Sequence, residues 1–340
     1  MAVTLLDVAR EAGVSRTTAS NAFNDPTQLS SALRERVLSV AKKLGYAGPS
    51  PTARAMRNGR TMMVGIVFEE SLPFILEDPY ARALLSGLSD RLTSADYSLA
   101  LLPVDKTHSG IERVQVDGIV AYRVRPNHDA LQVAQQRGWR IVHTGDTKNA
   151  GPEALSVTIN ESGGAELALQ HLAELGHRRV FALIDMDEDL PPQGGPPEFP
   201  FFEQAERWRG YQAVAEVHAM ELIPIAAGRN LRRNGFEATR WLLNNERVTA
   251  IVAMTDTHAL GALEAIKLAG LRAGRDVSVV GFDDIPEASG AGLTTISQPI
   301  WERGYEAARL LIEEPSQRSV ELSCTLITRA STGPVPHRAN

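Results

Sequence analysis

The sequence predicts an all-α helix-turn-helix head followed by a two-lobed α/β core with parallel sheets, and three observations support this fold class. Residues 1–46 contain three short helical patterns separated by turn residues. From Met62 onward, short apolar strand patterns alternate with longer amphipathic helix patterns, as in doubly wound α/β folds. About 280 residues exceed the usual size of one such sheet, so we expect two lobes with a cleft between them.

The charge distribution also separates head from core. Residues 1–60 contain nine Lys or Arg residues and four acids, a net charge of +5, so the remainder carries −11 of the total of −6. A basic head on an acidic core is expected when only the head meets a phosphate backbone. Acidic proteins are common, so the charge of the core alone does not identify a partner.

Composition excludes several classes of protein. Hydrophobic residues make up 43% of the 340 residues, which is ample for a buried core. No apolar run approaches the roughly 20 residues of a membrane span, and no signal peptide is evident, so we expect a cytoplasmic protein without a membrane partner. The single cysteine, Cys324, excludes an internal disulfide and a cysteine-based metal cluster, and we expect it to be a buried small hydrophobe.

Residues 4–24, TLLDVAREAGVSRTTASNAFN, have the pattern of two helices joined by a tight turn. Thr4 can cap the first helix, with Asp7 completing a capping box, and Gly13 ends it. Ser15 can cap the second helix. Apolar residues at helical spacing in that helix would face inward: Ala19, Ala22 and Phe23.

The other side chains of the second helix would point outward: Arg16, Thr17, Ser20 and Asn21. Arg can bind guanine through two hydrogen bonds, Asn can bind adenine, and Thr offers a hydroxyl or a methyl group. An ordinary solvated helix pair would show the same pattern, so this interpretation depends on its neighbours. A third helix, capped by Ser30 or Ser31 and ended by Gly45, completes a compact head over residues 1–46.

The runs VTLLDVAREAGVS and TTASNAFN resemble the DNA-binding head of the lactose/galactose-repressor (LacI/GalR) family of bacterial transcription regulators. The resemblance implies that the DNA-contacting residues of the head are Thr4, Ser15, Arg16, Thr17, Ser20 and Asn21. Asn21 stands where many members carry Arg, and Ala19 and Ala22 where they carry larger aliphatic residues. The base contacts of better-known members therefore do not transfer to this chain.

Residues 47–60 are expected to be a linker and a hinge helix. Pro49 and Pro51 prevent helix in the linker, residues 47–51, and the TARAMRN that follows it resembles the hinge helix of the family. In the family this helix orders on DNA and inserts a leucine into the minor groove from each subunit. Met56 occupies that position, and Arg54 and Arg57 lie beside it. A plain linker with helical tendency is the alternative, since seven residues of isolated helix are not stable alone.

The core resembles the type I periplasmic-binding-protein-like effector domain of the same family. The motifs that carry this resemblance are LGHRRVF, ERWRGY, TDTHALGALEAIKLAGLRAG, DVSVVGFDD and LTTISQP. It implies an effector-binding and dimerisation core over residues 61–340. One lobe is expected at about 61–157 and 291–322, and the other at about 158–290 and 323–340.

By this resemblance, Arg207 and Asp283 match the arginine and the aspartate that contact the effector, and together they could grip vicinal hydroxyls. The alternative is that they pair with each other or with backbone as structural ions. Thr255 stands where many sugar-responsive members carry Asn, and the following Asp256 is expected to cap a helix. Weaker candidates for the cleft are Gln298, Ser71 and Phe74.

Two further features leave alternatives open. Residues 185–204 are rich in Pro and Gly, and they could cover a ligand or form an unordered insertion. The aromatic residues Tyr80, Tyr122 and Phe282 could stack on a ligand ring but are more often core residues. No catalytic motif, metal-ligand spacing or cofactor-binding motif is evident in the sequence.

We therefore expect a transcriptional regulator that binds a near-palindromic DNA operator as a homodimer. Repression is the favoured mode of regulation. A sugar- or nucleoside-like effector in the interlobe cleft would control DNA binding, and whether it releases or promotes binding stays open. The alternatives are a cytoplasmic solute-binding protein, or an α/β enzyme with a DNA-binding appendage. The C-terminal residues contain no leucine heptads, so assembly beyond the dimer is not expected.

Overall fold

The computed structural model describes residues 3–48, 59–104, 110–125, 127–145, 154–186, 193–194, 199, 201–314 and 316–336. The chain divides into two compact units, Met1–Met63 with Gln115–Asp117, and Val64–Val114 with Gly118–Asn340. Among the described residues, no helix combines the length and apolarity needed to cross a membrane.

The head contains helices α1 (Leu5–Glu11), α2 (Arg16–Asn24) and α3 (Ser31–Leu44), with a short 3-10 turn at Pro26–Gln28. Local capping determines their ends, as the sequence predicts. Thr4 forms a capping box with Asp7, and Ser15 and Ser30 accept hydrogen bonds from the backbone N–H groups of Thr18 and Leu33. Gly45 ends α3 with φ of 72°, a left-handed conformation that glycine adopts without strain.

A small apolar core holds the three helices of the head together. Val8, Ala19, Ala22 and Val37 are completely buried. Phe23, expected to face inward, is half-buried and packs edge-on against Tyr46, with 5.6 Å between ring centroids.

The first lobe of the larger unit is built on a six-stranded sheet with strand order β12-β5-β4-β3-β1-β2. Its strands are β1 (Met63–Phe68), β2 (Ser98–Pro103), β3 (Gly118–Ala121), β4 (Arg140–His143), β5 (Leu155–Ile159) and β12 (Ser319–Leu322). Its helices are α4 (Leu72–Glu77), α5 (Pro79–Thr93), α6 (Asp129–Gln136) and α12 (Ile300–Ile312). A Cβ at Gly87 would lie 1.9 Å from the carbonyl oxygen of Trp301, so the backbones of α5 and α12 are in direct contact.

The second lobe is built on a seven-stranded sheet with strand order β13-β11-β10-β9-β6-β8-β7. Its strands are β6 (Arg179–Asp185), β7 (Gln193–Gly194), β8 (Glu221–Gly228), β9 (Ala250–Ala253), β10 (Ser278–Asp283), β11 (Thr294–Ser297) and β13 (Thr325–Ile327). Its helices are α7 (Glu161–Glu174), α8 (Phe202–Val217), α9 (Arg232–Asn245), α10 (Asp256–Leu268) and α11 (Pro286–Gly290).

Most strand pairs in both sheets are parallel, and the described exceptions are β7 with β8 and β11 with β13. The predicted fold class is therefore confirmed. In parallel sheets, the loops after the carboxyl ends of the strands lie together along one edge, where ligands bind. Arg123 follows β3, Asp185 and Asp283 end β6 and β10, and Thr255 lies shortly after β9.

The predicted chain crossing near Gly290 is wrong. β11 follows Gly290 and pairs in parallel with β10, with Gly281 beside Thr295, so the chain stays in the second sheet until Ser297. The crossing into the first lobe lies instead between β11 and α12. The other two crossings lie between β5 and α7 and between β12 and β13.

Strand β8 contains Pro224, and proline disfavours the interior of a sheet because it has no N–H donor. Here Pro224 pairs beside Ala182 of β6, and the other neighbour of β8 is the two-residue strand β7. The strand thus lies next to the edge of the sheet, where a missing N–H donor is tolerated.

Candidate DNA-binding surface and interlobe cleft

Helix α2 presents the candidate DNA-reading residues to different degrees. Arg16 and Thr17 are exposed, and the side chain of Arg16 makes no hydrogen bond or ion pair with any described residue. Asn21 is half-buried and donates from Nδ2 to Gln28 Oε1 at 3.0 Å. Ser20, also half-buried, accepts from Asn24 Nδ2 at 3.1 Å. Arg16 and Thr17 are thus available for recognition, whereas Ser20 and Asn21 must first exchange internal partners.

Thr4 and Ser15 act locally as helix caps. Thr4 Oγ1 donates to Asp7 Oδ2 at 2.7 Å, and this hydrogen bond lowers the pKa of the Asp7 carboxyl. Ser15 Oγ accepts from Thr18 N at 3.0 Å. Contacts of Thr4 and Ser15 with DNA stay predictions. The hinge residues Arg54, Met56 and Arg57 lie outside the described residues.

Residues of both lobes surround a small polar cavity of about 40 Å³, which we call the inner cavity. From the first lobe it is lined by residues that include Tyr80, Tyr122 and Arg123, and from the second lobe by residues that include Glu161, Arg207 and Asp283. The expected cleft therefore brings Arg207 and Asp283 together. Tyr80 and Tyr122 are buried core residues, as expected, and their stacked rings also line this cavity.

Arg207 lies on α8 and is only 6% exposed. Its Nε donates to Glu161 Oε2 at 2.8 Å, its Nη1 donates to the carbonyl of Met254, and its Nη2 lies 3.9 Å from Asp283 Oδ1. Burial disfavours the charged guanidinium, but Glu161 and Asp283 outweigh this effect and raise the pKa of Arg207. Its guanidinium also lies 3.9 Å from the ring centroid of Phe282.

Asp283 ends β10 with φ of 129°, a conformation that strains any residue except glycine. Its Oδ1 accepts from Gln298 Nε2 at 2.6 Å, and burial raises the pKa of the carboxyl well above its usual range. Gln298 is buried and reaches the site through Asp283, and its Oε1 has no partner among the described residues. Arg207 and Asp283 thus make structural pairs within the predicted effector site.

Thr255, rather than Asp256, caps α10, so the expected role of Asp256 is wrong. Thr255 Oγ1 accepts from His258 N at 3.3 Å and donates to Asn230 Oδ1 at 2.7 Å. Asp256 is the first residue of the helix and is completely buried. Its carboxylate accepts from Ile285 N and from the Thr295 hydroxyl, and burial raises its pKa to about 7.

Ser71 and Phe74 are not among the residues that line the inner cavity. Ser71 is exposed and caps α4 by accepting from Phe74 N at 3.4 Å. The Phe74 ring lies 5.3 Å from the guanidinium of Arg229, which belongs to the second lobe. Phe74 thus contributes to a contact between the lobes, and effector binding by either residue stays a prediction.

Arg123 is a functional candidate that sequence reasoning missed, as it missed Glu161 and Arg303, which line the same cavity. It follows β3 with φ of 47°, and its guanidinium lies 3.7 Å from Glu203 and 3.8 Å from Asp185 of the other lobe. Burial disfavours its charge, but Glu203 and Asp185 outweigh this effect and raise its pKa. Its position just after a parallel strand, in AYRVRP, was the available signal.

A second cavity, of about 290 Å³, which we call the outer cavity, shares Tyr122, Arg123, Glu203 and Arg303 with the inner one. Its walls include Phe199 and Phe201, the two residues of the Pro/Gly-rich segment 185–204 that flank Pro200. The guanidinium of Arg123 lies 4.2 Å from the ring centroid of Phe201. The described end of this segment therefore borders the cleft, and most of the remainder lies outside the described residues.

The described residues contain no group of three or more His, Cys, Asp or Glu side chains that could hold a metal ion. Cys324 is half-buried, and burial raises the pKa of its thiol to about 12. The side chains described above offer hydrogen bonds, ion pairs and ring contacts to a ligand in the cleft.

Comparisons with known proteins match both parts of the chain. A model of bacterial regulatory proteins of the lacI family matches residues 4–48, and a periplasmic binding protein-like domain matches residues 169–332. HTH-type transcriptional regulator Rv3575c of Mycobacterium tuberculosis is 34% identical, with 98% of this chain and 97% of that protein covered.

Solved structures also match this chain along nearly its whole length. A transcriptional regulator CelR–cellobiose complex is 28% identical with a TM-score of 0.68, covering 97% of this chain and 99% of that chain. The lac repressor dimer bound to operator and the anti-inducer ONPF is 25% identical with a TM-score of 0.78, covering 98% of this chain and 100% of that one.

Proposed function

The chain belongs to the lacI family of bacterial regulatory proteins, and from that premise we propose that it is a repressor that binds a near-palindromic operator as a homodimer. It is a ligand-responsive, DNA-binding transcriptional regulator and not an enzyme, because relatives along its whole length are named transcriptional regulators. The proposal adds that a sugar- or nucleoside-like effector binds between the lobes, and that the protein acts in the cytoplasm, where the DNA is.

The DNA-binding half of the proposal is supported by the surface of α2. Arg16 and Thr17 are exposed near the start of this helix, and the first 60 residues carry a net charge of +5. In helix-turn-helix proteins, the second helix lies in the major groove with its N-terminal residues at the base edges. A dimer would place two such helices in successive major grooves, and the solved lac repressor dimer on its operator is the model for this arrangement.

The proposal that an effector binds between the lobes is supported mainly by the charged cluster at the carboxyl edge of the second sheet. Arg207 donates to Glu161 at 2.8 Å and lies 3.9 Å from Asp283, and all three residues line the inner cavity together with residues of the first lobe. A ligand that hydrogen-bonds to this cluster as well as to residues of the first lobe would change the balance between open and closed lobes. The coupling to DNA binding would be about 1–3 kcal/mol.

A solute-binding protein would also have two lobes and a polar cleft. The helix-turn-helix head, with its own apolar core, argues against this second function. Carbohydrate is the favoured effector class because the related CelR was solved with cellobiose.

The test begins by selecting near-palindromic duplexes from a random DNA library with the full-length protein. Gel-shift titrations of the selected duplex then measure affinity with and without candidate sugars and nucleosides. We expect specific binding that at least one effector changes by about fivefold or more. Absence of a selected sequence would contradict the DNA-binding role, and no response to any effector would contradict the cleft assignment.

The predicted hinge is tested in the same titration. Replacing Met56 with Gly removes the side chain expected to insert into the minor groove and lowers helix propensity, so affinity for the operator should fall. Unchanged thermal unfolding of the core would show that the loss is specific to DNA binding. Normal operator affinity of Met56→Gly would exclude the role of Met56 as a wedge.

A further inference from the structure

We infer that the effector is a ring compound whose ring lies in the outer cavity, and that only a short arm ending in a hydroxyl or ammonium group, and not in a phosphate, reaches the inner cavity. This inference rests on the proposed function for the claim that a small molecule binds between the lobes. It places the ring beside Phe199 and Phe201 rather than over Arg207 and Asp283, and it excludes a phosphate arm in the inner cavity.

The two cavities differ in the size of the group that each can hold. A single water needs about 10–15 Å³ of cavity volume, so the 40 Å³ of the inner cavity accommodates a few atoms of a ligand. The 290 Å³ of the outer cavity lies near the lower end of the roughly 300–1,000 Å³ typical of small-molecule sites. A ring therefore fits the outer cavity without displacing the Arg207 cluster.

The shared walls give the ring a direct path to the inner cavity. Tyr122, Arg123, Glu203 and Arg303 line both cavities, so a short arm can pass from one to the other. In the outer cavity, Phe199 and Phe201 supply aromatic walls, and the guanidinium of Arg123 lies over one face of the Phe201 ring. The C–H faces of a sugar or the face of a heterocyclic base pack favourably against such surfaces.

The inner cavity presents an acceptor that lacks a donor. Glu161 is 3% exposed, and its Oε1 has no hydrogen-bond partner among the described residues, while its Oε2 is held by Arg207. An unsatisfied buried carboxylate oxygen costs free energy that a ligand hydroxyl or ammonium group would recover. The arm that reaches this cavity should therefore end in a hydrogen-bond donor.

The charges around the inner cavity oppose a phosphate arm. Five carboxylates line it: Asp78, Glu161, Asp185, Glu203 and Asp283. Three guanidinium groups line it: Arg123, Arg207 and Arg303. Burial raises the pKa of Asp78 and of Asp283, but even with both protonated the three remaining carboxylates balance the three guanidinium groups. A phosphate monoester, with a charge of roughly −1.5 to −2, therefore meets no net positive charge there.

The ligand class is tested by thermal-shift titration of the full-length protein with matched pairs. The probes are glucose with glucose 6-phosphate, ribose with ribose 5-phosphate, and adenosine with adenosine 5′-monophosphate; glucosamine represents an amine-bearing ring. At least one uncharged or amine-bearing probe should raise Tm, and its phosphate ester should bind about tenfold more weakly or worse. Stronger binding by an ester, or no response to any of the unphosphorylated probes, overturns the class.

The position of the ring is tested with the probe that raises Tm most. Ala205 lines the outer cavity, so Ala205→Trp fills it and should weaken binding about tenfold or more. Ala213 is exposed on the same helix, and Ala213→Trp should leave affinity unchanged. Phe199→Ala removes an aromatic wall of the cavity without adding volume and should also weaken binding. This variant tests the placement independently if Ala205→Trp does not fold. Unchanged affinity of a folded Ala205→Trp and of Phe199→Ala overturns the placement.

Operator titrations separate this inference from the proposed function. If the probe binds and Ala205→Trp weakens it, but operator affinity does not respond to the probe, the placement stands and the regulatory role of that probe fails. If operator affinity responds equally in the wild type, in Ala205→Trp and in Phe199→Ala, the regulatory role stands and the placement is overturned.

Discussion

The recognition surface of the head and that of the cleft are built in opposite ways. On α2, Arg16 and Thr17 are exposed, and Arg16 has no partner among the described residues. In the cleft, Arg207 and Asp283 are at most 6% exposed and already engaged with Glu161, Met254 and Gln298. The head offers a preformed surface, whereas a ligand that engages the cluster in the cleft must exchange contacts that also hold the fold together.

This difference predicts how substitutions behave. Substitution of an exposed residue such as Arg16 should weaken DNA binding with little effect on the free energy of unfolding, because few native contacts depend on that residue. A residue of the buried kind should affect stability first, because its removal leaves charges without partners in a region that excludes water. Each of the following substitutions tests that contrast.

The largest expected effect is that of Arg207→Ala. The substitution leaves the carboxylates of Glu161 and Asp283 buried without their common cation, and we expect a loss of roughly 3–5 kcal/mol in the free energy of unfolding. Denaturant unfolding monitored by circular dichroism measures it. Arg209→Ala, on the same helix with a side chain 67% exposed, is the matched control and should change stability by about 0.5 kcal/mol or less. Equal losses in the two variants would contradict the structural role of Arg207.

Arg16→Ala should show the opposite behaviour. We expect operator affinity to fall by roughly 1–3 kcal/mol per half-site, with relaxed specificity at the position that Arg16 contacts. Gel-shift titration against the selected operator and its single-base variants measures both effects. The thermal unfolding of the head should not change. A variant that keeps its full operator selectivity would show that Arg16 is not a base reader.

Asp256→Asn tests a buried carboxyl group of the second lobe through the pH dependence of the free energy of unfolding. Burial raises the folded-state pKa of Asp256 from 3.8 to about 7, so between these values the folded protein holds a proton that the unfolded chain has lost. The destabilising contribution of this group is absent below about pH 4, grows as pH rises through this window, and is complete above about pH 7.

The wild type should therefore lose on the order of 2 kcal/mol of unfolding free energy between about pH 5 and pH 8 relative to Asp256→Asn. Denaturant unfolding at four pH values measures the difference. Asp276→Asn is the control, because a hydrogen bond with Arg275 lowers the pKa of Asp276 below this window. Parallel pH profiles of the wild type and Asp256→Asn would show that Asp256 does not titrate there.

Substitution of Ser15 tests whether the exposed surface of the head also contains residues that stabilise the fold. Because Ser15 Oγ accepts from Thr18 N, Ser15→Ala should destabilise the head by about 1 kcal/mol, and Ser15→Asp should restore the cap. Thermal unfolding of the head measures stability, and gel-shift titration measures operator affinity. Full operator affinity of Ser15→Asp would restrict Ser15 to capping, whereas a loss of affinity in a stable Ser15→Asp head would favour a contact with DNA.

Much of the head could be predicted because its signals are local. A cap such as Thr4 or Ser30 acts on N–H groups two or three residues away, and Gly45 ends its helix through its own backbone conformation. The alternation of strands and helices is also local, so the α/β class was predictable from short windows. Strand β8 has no such local signal, because Pro224 opposes it locally and pairing with β6 and β7 stabilises it.

The cleft could be predicted only in part. Resemblance pointed to Arg207 and Asp283, but Arg207 is held by Glu161, which is distant in sequence, and this pairing leaves no local pattern. The ion pairs of Arg123 were equally unpredictable from local sequence, since its partners Glu203 and Asp185 belong to the other lobe. A charged residue after a strand is common, and only the folded chain shows which carboxylates surround it.

By itself, the sequence determined the helix ends of the head, the outward position of Arg16 and Thr17, and the parallel α/β class, because each depends on interactions within a few residues. Tertiary structure decided which charges meet in the cleft, where the chain changes lobes at Gln298, and how the cleft divides into a small inner and a larger outer cavity. These features depend on groups far apart in the chain that burial brings together, so the free energy of any one of them is set by the others.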